Sequence, residues 1–323
     1  MKISTRIRRT LTDPFVNSLI KKMWRLEDSL NTKPGSVHNS ENSPKRFEIL
    51  SENLALKDDH APIPGFPQSA PFLGSSIRNI FRSIKSLEKN PVKPQTRVTE
   101  EFLLEMEAYM RSVGIDGYGY TEVPREFIFK GKSIMYDKAI VLVMEMDKKR
   151  MSKAPNFDTA VMVHQTYNRL GLSSRKLTEF LRKHGFAAHS GHPVNGLVLY
   201  PPLAQKAGLG WRGISGLLIT PAFGPRVRLA AVFTNIENLP YSKNDEHRWI
   251  EKYCNSCRLC IRECPPKAIM EKPVEHANGL LTSVEDEKCF PYFANYHGCS
   301  ICIRVCPFNN TDYGKLKKAF KIA

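Results

Sequence analysis

All eight cysteines of the chain fall between residues 254 and 306, and their spacing constrains the fold there more than any other feature. The first run is Cys254-x2-Cys257-x2-Cys260-x3-Cys264-Pro265. The second, Cys299-x2-Cys302-x3-Cys306-Pro307, follows an isolated Cys289. Three closely spaced thiolates can wrap one corner of an iron–sulphur cube, while a fourth, before proline, is turned towards a neighbouring cube. That logic assigns Cys254, Cys257, Cys260 and Cys306 to one 4Fe–4S cluster, and Cys264, Cys289, Cys299 and Cys302 to a second. Four-cysteine sets with x2 spacing also bind structural zinc, but two interleaved runs that each end in x3-Cys-Pro favour a bacterial ferredoxin-like module. Nine residues separate Cys289 from Cys299, so an inserted loop, Phe290 to Gly298, is expected to shield the second cluster with its aromatic side chains. One-electron transfer follows from the clusters; a substrate does not.

A chain of 323 residues that is 41% hydrophobic and 25% charged is long enough for two domains of ordinary globular composition. No apolar run reaches the roughly 18 residues that span a bilayer, so no transmembrane segment is expected. Ala139 to Met146 suits a buried strand instead. Arg8-Arg9 could open an export signal, but no apolar h-region follows, and an unexported, cytoplasmic chain is expected. There, thiols serve as metal ligands more often than as disulfides. The net charge of +16 admits an anionic partner, such as nucleic acid, an acidic protein or a phosphorylated cofactor. Basic side chains scattered over a solvated surface are the commoner explanation, and cluster-bound thiolates would lower the charge.

Residues 1–97 read as an irregular basic extension. Ser29 to Ser43 has the composition of loop or disorder, whereas Ile77, Ile80, Phe81, Ile84 and Leu87 recur at helical spacing. A globular core is expected over 98–240. Thr99 heads a helix running to Gly114, Lys138 to Glu145 forms a strand, and Phe157 to Gly185 is a long helical stretch. A short helix begins at Pro201, and strands follow at Leu217–Thr220 and Arg228–Thr234. Alternating helices and strands predict an α/β or α+β layered core, with the cluster domain over 241–323. No G-x-G-x-x-G follows a strand, so a Rossmann nucleotide site is not expected.

Glycines 208, 210, 213 and 216 crowd one stretch, where backbone could approach a large flat ligand; a glycine-rich connection with no ligand fits the same spacing. The segment Ala207-Gly-Leu-Gly, Leu218-Ile-Thr-Pro and Phe223-Gly-Pro-Arg-Val-Arg228, followed by the two cysteine runs, resembles cobalamin-dependent reductive dehalogenases and epoxyqueuosine reductases. The resemblance covers roughly residues 136–310. It implies a nitroreductase-like core holding base-off cobalamin at Gly208, Leu209, Gly210, Trp211 and Thr220, with one cluster passing electrons to cobalt. Ile140 to Asp147, Tyr167-x-Arg169, Glu179 to Arg182 and the Glu287-Lys-Cys289…Gly298-Cys299 spacing are similar to the dehalogenase branch. Gly210-Trp211-x-Gly213 is similar to the epoxyqueuosine reductases.

The resemblance also implies catalytic residues. Tyr167 matches the dehalogenase proton donor, Arg228 the basic group that supports its phenolate, and Asn195 an asparagine lining the substrate pocket. A phenol of pKa about 10 becomes a stronger acid beside a cation. Without the resemblance, Tyr167 reads equally as a core tyrosine and Arg228 as the partner of a structural carboxylate. His164, His189 and His192 flank the region without an assigned role. The reading is a cytoplasmic, anaerobic corrinoid iron–sulphur reductase that cleaves a small-molecule substrate, an organohalide by expectation, with electrons from a low-potential donor such as ferredoxin or flavodoxin. The alternatives are a tRNA-modifying epoxide reductase and a two-cluster electron carrier without cobalamin.

Overall fold

The computed structural model describes residues 14–46, 64–194, 196–242 and 245–322. Asn195 and the Arg8-Arg9 pair lie outside the described residues. The helices are α1 (Pro14–Asp28), α2 (Ala70–Lys85), α3 (Glu100–Ser112), α4 (Phe157–Lys183), α5 (Tyr200–Lys206), α6 (Trp249–Cys257), α7 (Asp286–Asn295) and α8 (Tyr313–Ile322). The strands are β1 (Val37–His38), β2 (Gly117–Glu122), β3 (Ser133–Ile134), β4 (Lys138–Glu145), β5 (Ala188–Ser190), β6 (Trp211–Arg212), β7 (Leu218–Ile219), β8 (Val227–Thr234), β9 (Ile269–Glu275) and β10 (Leu281–Val284), with single-turn helices between some of them.

The core is a four-stranded sheet in the order β2-β4-β8-β5, antiparallel throughout. β4 sits inside it, paired along its length with β8, which explains its unbroken apolar sequence: both faces are covered. Side chains alternate across the sheet. Ile140, Leu142 and Met144 meet Met106 and Met110 of α3 and Leu170, Leu177 and Leu181 of α4 on one face. Ala139 and Val141 meet Leu203 and Ala204 of α5, together with Ile84 and Leu87, on the other. The result is three layers, helix–sheet–helix.

Thr99 caps α3, its hydroxyl accepting from Phe102 N at 3.2 Å, and Asn156 caps α4 in the same way through Asp158 N at 2.8 Å. Ile80 and Ile84 of α2 are buried, as the periodicity of residues 77–87 predicts. Ser29 to Ser43 differs in part from its reading as loop or disorder. Leu30 is fully buried, Asn31 bonds Gly131 O and Ser133 Oγ, and β1 pairs with β3. Long-range hydrogen bonds order a stretch whose composition alone suggests none.

Within the cluster module, β9 and β10 form a hairpin that the cysteine pattern did not announce. The expected loop at Phe290–Gly298 is corrected: Asp286–Asn295 is helix α7, with Pro291 inside it, and Cys289 stands on this helix. Asp286 and Glu287 in its first turn favour the helix through the macrodipole, while Pro291 leaves it one backbone donor short. Among the described residues, no helix is long and apolar enough to cross a membrane.

Candidate functional site: a tyrosine–arginine pair beside two thiol quartets

Tyr167 projects from the middle of α4 and Arg228 from the start of β8. They meet: the Arg228 guanidinium carbon lies 4.5 Å from the centroid of the Tyr167 ring, within cation–π range. His164, one turn earlier on α4, lies 6.5 Å from the same ring, centroid to centroid. Burial, aided by the Arg228 charge, lowers its pKa to about 4, against a hydrogen bond to the Pro64 backbone. The ring is therefore neutral near pH 7. Asn168 Oδ1 and Arg228 Nε are buried with no hydrogen-bond partner. Buried polar atoms are ordinarily satisfied, and these two lie near Tyr167 without a protein partner. Sequence reasoning noted His164 without assigning it a role and gave none to Asn168; the three-residue spacing of His164 to Tyr167 on a helix was the available signal.

The thiols gather in two groups. Cys254 is in electrostatic contact with Cys260 and Cys257, and Cys306 with Cys254 and Cys260. Cys302 feels Cys299, Cys260, Cys289 and Cys264, and Cys289 feels Cys264 and Cys299. Most of these contacts fall within one or the other quartet expected from the cysteine pattern, and Cys260 is in reach of both. Burial pushes the thiols of Cys254, Cys302 and Cys306 up to about 12 and that of Cys289 to about 11. A cationic iron centre reverses that preference, because a coordinating thiol is deprotonated outright. Backbone conformation supports the wrapping. Arg258, Cys299 and Ser300 take φ values of 51°, 37° and 70°, left-handed geometry rare outside glycine and concentrated at functional loops. Backbone amides are aimed at sulphur as well, including Ala268 N to Cys264 Sγ at 3.3 Å. The thiols and their donors thus fit iron–sulphur clusters.

The quartets flank the core differently. Cys302 and Ile303 pack with Met162 and Val163 of α4 and with Leu217, one helical turn from Tyr167. Cys254 and Cys306 pack instead with Ile214, Ile219 and Trp211 of the β6–β7 hairpin. The glycines of that hairpin act on the protein itself. A Cβ on Gly210 (φ 153°) would be driven into Ile219 O, one on Gly208 into Ser242, and one on Gly213 would lie 3.2 Å from Cys254 Sγ. Thr220 is committed to its own turn, accepting from Phe223 N at 3.1 Å and donating to Gly224 O at 3.2 Å. Leu209 turns into the core. The main chain at Gly208, Gly210 and Gly213 is thus packed closely against the protein's own atoms. Asn195 cannot be placed with this site.

A fold of this kind, a helix–sheet–helix core joined to a two-quartet module, is that of reductive dehalogenases. Residues 253–310 match the 4Fe-4S dicluster domain. The chain is homologous to a tetrachloroethene reductive dehalogenase of Sulfurospirillum multivorans, 34% identical over 53% of this chain and 35% of that protein. One from Desulfitobacterium hafniense is 29% identical over 69% of this chain and 42% of its own length. An epoxyqueuosine reductase of Francisella cf. novicida is 31% identical over 35% of this chain and 33% of that protein. Among solved structures, a catabolic reductive dehalogenase in complex with 3-bromo-4-hydroxybenzoic acid superposes with a TM-score of 0.66 at 18% identity, over 91% of this chain and 46% of the other. The chain spans less than half the length of the dehalogenases it matches.

Proposed function

We propose that the protein is a reductive dehalogenase-like reductase, in which Tyr167 donates a proton to a substrate undergoing two-electron reductive cleavage, an organohalide in the first instance. The observation that carries this is the Arg228 guanidinium over the Tyr167 ring at 4.5 Å. A fixed cation over the ring face holds the phenol in one orientation by cation–π attraction, which positions its hydroxyl for proton donation. In this reading residues 98–240 hold cobalamin on the main chain of Gly208, Leu209, Gly210 and Trp211 and the turn at Thr220, while 241–323 hold two clusters on the eight cysteines. Bound there, the corrinoid would supply the strongly reducing centre that amino-acid side chains lack. Asn195 is assigned to the substrate pocket. The external electron donor is a low-potential carrier such as ferredoxin or flavodoxin, and the compartment is the cytoplasm.

The test is to load the protein anaerobically with iron, sulphide and hydroxocobalamin, measure iron and cobalt per chain, then assay halide release with a chemical reductant. Tyr167→Phe is expected to retain both metals while halide release falls by about 100-fold or more. Wild-type turnover in that variant removes Tyr167 from the chemistry, and iron without cobalt leaves a two-cluster electron carrier. The homology to epoxyqueuosine reductases supports a second reading, a tRNA-modifying epoxide reductase. Stem-loop RNA binding that weakens steeply with salt would favour it.

A further inference from the structure

The two cysteine runs contain a short internal repeat: Cys260-Ile-Arg262-Glu-Cys264-Pro265 in the first and Cys302-Ile-Arg304-Val-Cys306-Pro307 in the second. Each arginine thus stands two residues after a thiol and closes a single-turn helix, Leu259–Arg262 in one run and Ile301–Arg304 in the other. The repeat places the two alike, but the fold surrounds them differently. Arg262 is exposed, as is Glu263 after it, and its Nη1 donates to Cys257 O at 2.8 Å. Arg304 is half-buried and followed by Val305. Its Nη1 donates to Ala154 O, and Ala154 packs with Met146, Met151, Met162 and Cys302. The Arg304 charge is in electrostatic contact with Cys299. Among the described residues no carboxylate forms an ion pair with it.

A cluster held by four thiolates is anionic, and one added electron makes it one charge more negative. A nearby cation therefore favours the reduced form, by an amount set by the medium between the charges. Water and salt screen an exposed guanidinium such as that of Arg262. A half-buried one, held against methionine and alanine side chains, is screened much less.

We propose that Arg304 is the counter-cation that raises the reduction potential of the cluster on Cys264, Cys289, Cys299 and Cys302, while Arg262, its equivalent in the repeat, leaves the other potential nearly unchanged. This rests on the two-cluster part of the reductase reading, and on neither the corrinoid nor the substrate. Because Ala154 lies just before α4, the core sets where the charge stands. Asp286 faces the same quartet from Cys289; it is present in every variant below and cancels from the comparison.

The test uses the full chain loaded anaerobically with iron and sulphide, titrated with dithionite and followed by EPR, which reads two one-electron waves. Arg304→Gln is expected to lower one wave by about 59 mV, a tenfold change in its reduction equilibrium, and to leave the other in place. Arg304→Lys, which keeps the charge, recovers most of that shift, and Arg262→Gln moves neither wave. In 1 M salt, where the screening length is about 3 Å, the difference between wild type and Arg304→Gln persists. Unmoved waves in Arg304→Gln, or equal shifts from the two glutamine variants, overturn the inference. Should Arg304→Gln fail to hold iron, Arg304→Met, which keeps the packing of the stem, takes its place. Loss of iron from both makes Arg304 a folding residue and overturns its tuning role as well. An iron-loaded wild type without a reducible 4Fe–4S signal sinks the two-cluster reading and this inference together, whereas unmoved waves sink the inference alone.

Discussion

Histidines 164, 189 and 192 are held neutral inside the core by burial, with pKa values lowered to about 4, about 3 and about 4; the charges of Arg228 and Arg182 lower the first two further. An unfolded imidazole titrates near pH 6.5. Between about pH 6.5 and 4 the unfolded chain therefore binds more protons than the folded one, and stability falls as pH is lowered through that window. Above about pH 6.5 both states carry neutral rings and the contribution is complete. His189 is the cleanest reporter, since it lies on β5, away from the cysteines, with its ring against Phe233. We expect the wild-type urea midpoint to drop between about pH 7 and pH 5, and His189→Gln to flatten that slope. Parallel pH profiles for the two proteins would mean that this ring is not held neutral by the fold. At this scale the family resemblance paired Tyr167 with Arg228, whereas composition and spacing did not: the two stand 61 positions apart in the numbering, and only the packing of α4 on the sheet explains their contact.

Elements were more legible than residues wherever one periodicity ran uninterrupted. β4 was readable because a strand covered on both faces must be apolar throughout, and α3 because Thr99 caps it. β5 and β6 were not, since strands of three and two residues are too short to show a period, although the strand expected at Leu217–Thr220 is found as β7. Also hidden was what joins the layers to the cluster module. Arg226, between the β6–β7 hairpin and β8, is buried; its Nε and Nη2 reach Glu145 Oε1 of β4 at 3.0 and 2.8 Å, and its Nη1 reaches Asn309 O at 3.3 Å. One side chain thus holds the end of a core strand to the chain just past Cys306. Arg226→Met keeps much of the volume and deletes these donors. Because Glu145 is partly exposed and can regain water, a loss of about 2 kcal/mol is expected rather than the larger penalty of a fully buried ion pair. Thermal unfolding of the cluster-loaded variant checks it, and an unchanged midpoint would reduce Arg226 to a bystander.

At the scale of the whole molecule, the two halves are stabilised by different means. The sheet and its helices bury two large apolar clusters made of ordinary core residues. The clusters of the module are small and composed in good part of the thiols themselves: Cys254, Cys260 and Cys306 in one, Cys264, Cys260, Cys289 and Cys302 in the other. Where ligands make up the core, metal binding and folding are one free energy. Removing iron should therefore melt residues 254–306 and leave the sheet standing. Hydrogen exchange on the protein before and after anaerobic chelation reads this directly. Amides of β4 and β8 are expected to keep their protection, while those around Cys254–Cys264 and Cys299–Cys306 become fast. The hairpin β6–β7 is the informative boundary. Its Ile214 and Ile219 pack on Cys254, whereas Leu218 belongs to the core, so it should show intermediate protection. Loss of protection throughout β4 and β8 would mean that the clusters stabilise the entire chain. Retained protection around the cysteines would mean that the module folds without metal, and the raised thiol pKa values would then describe a stable apoprotein.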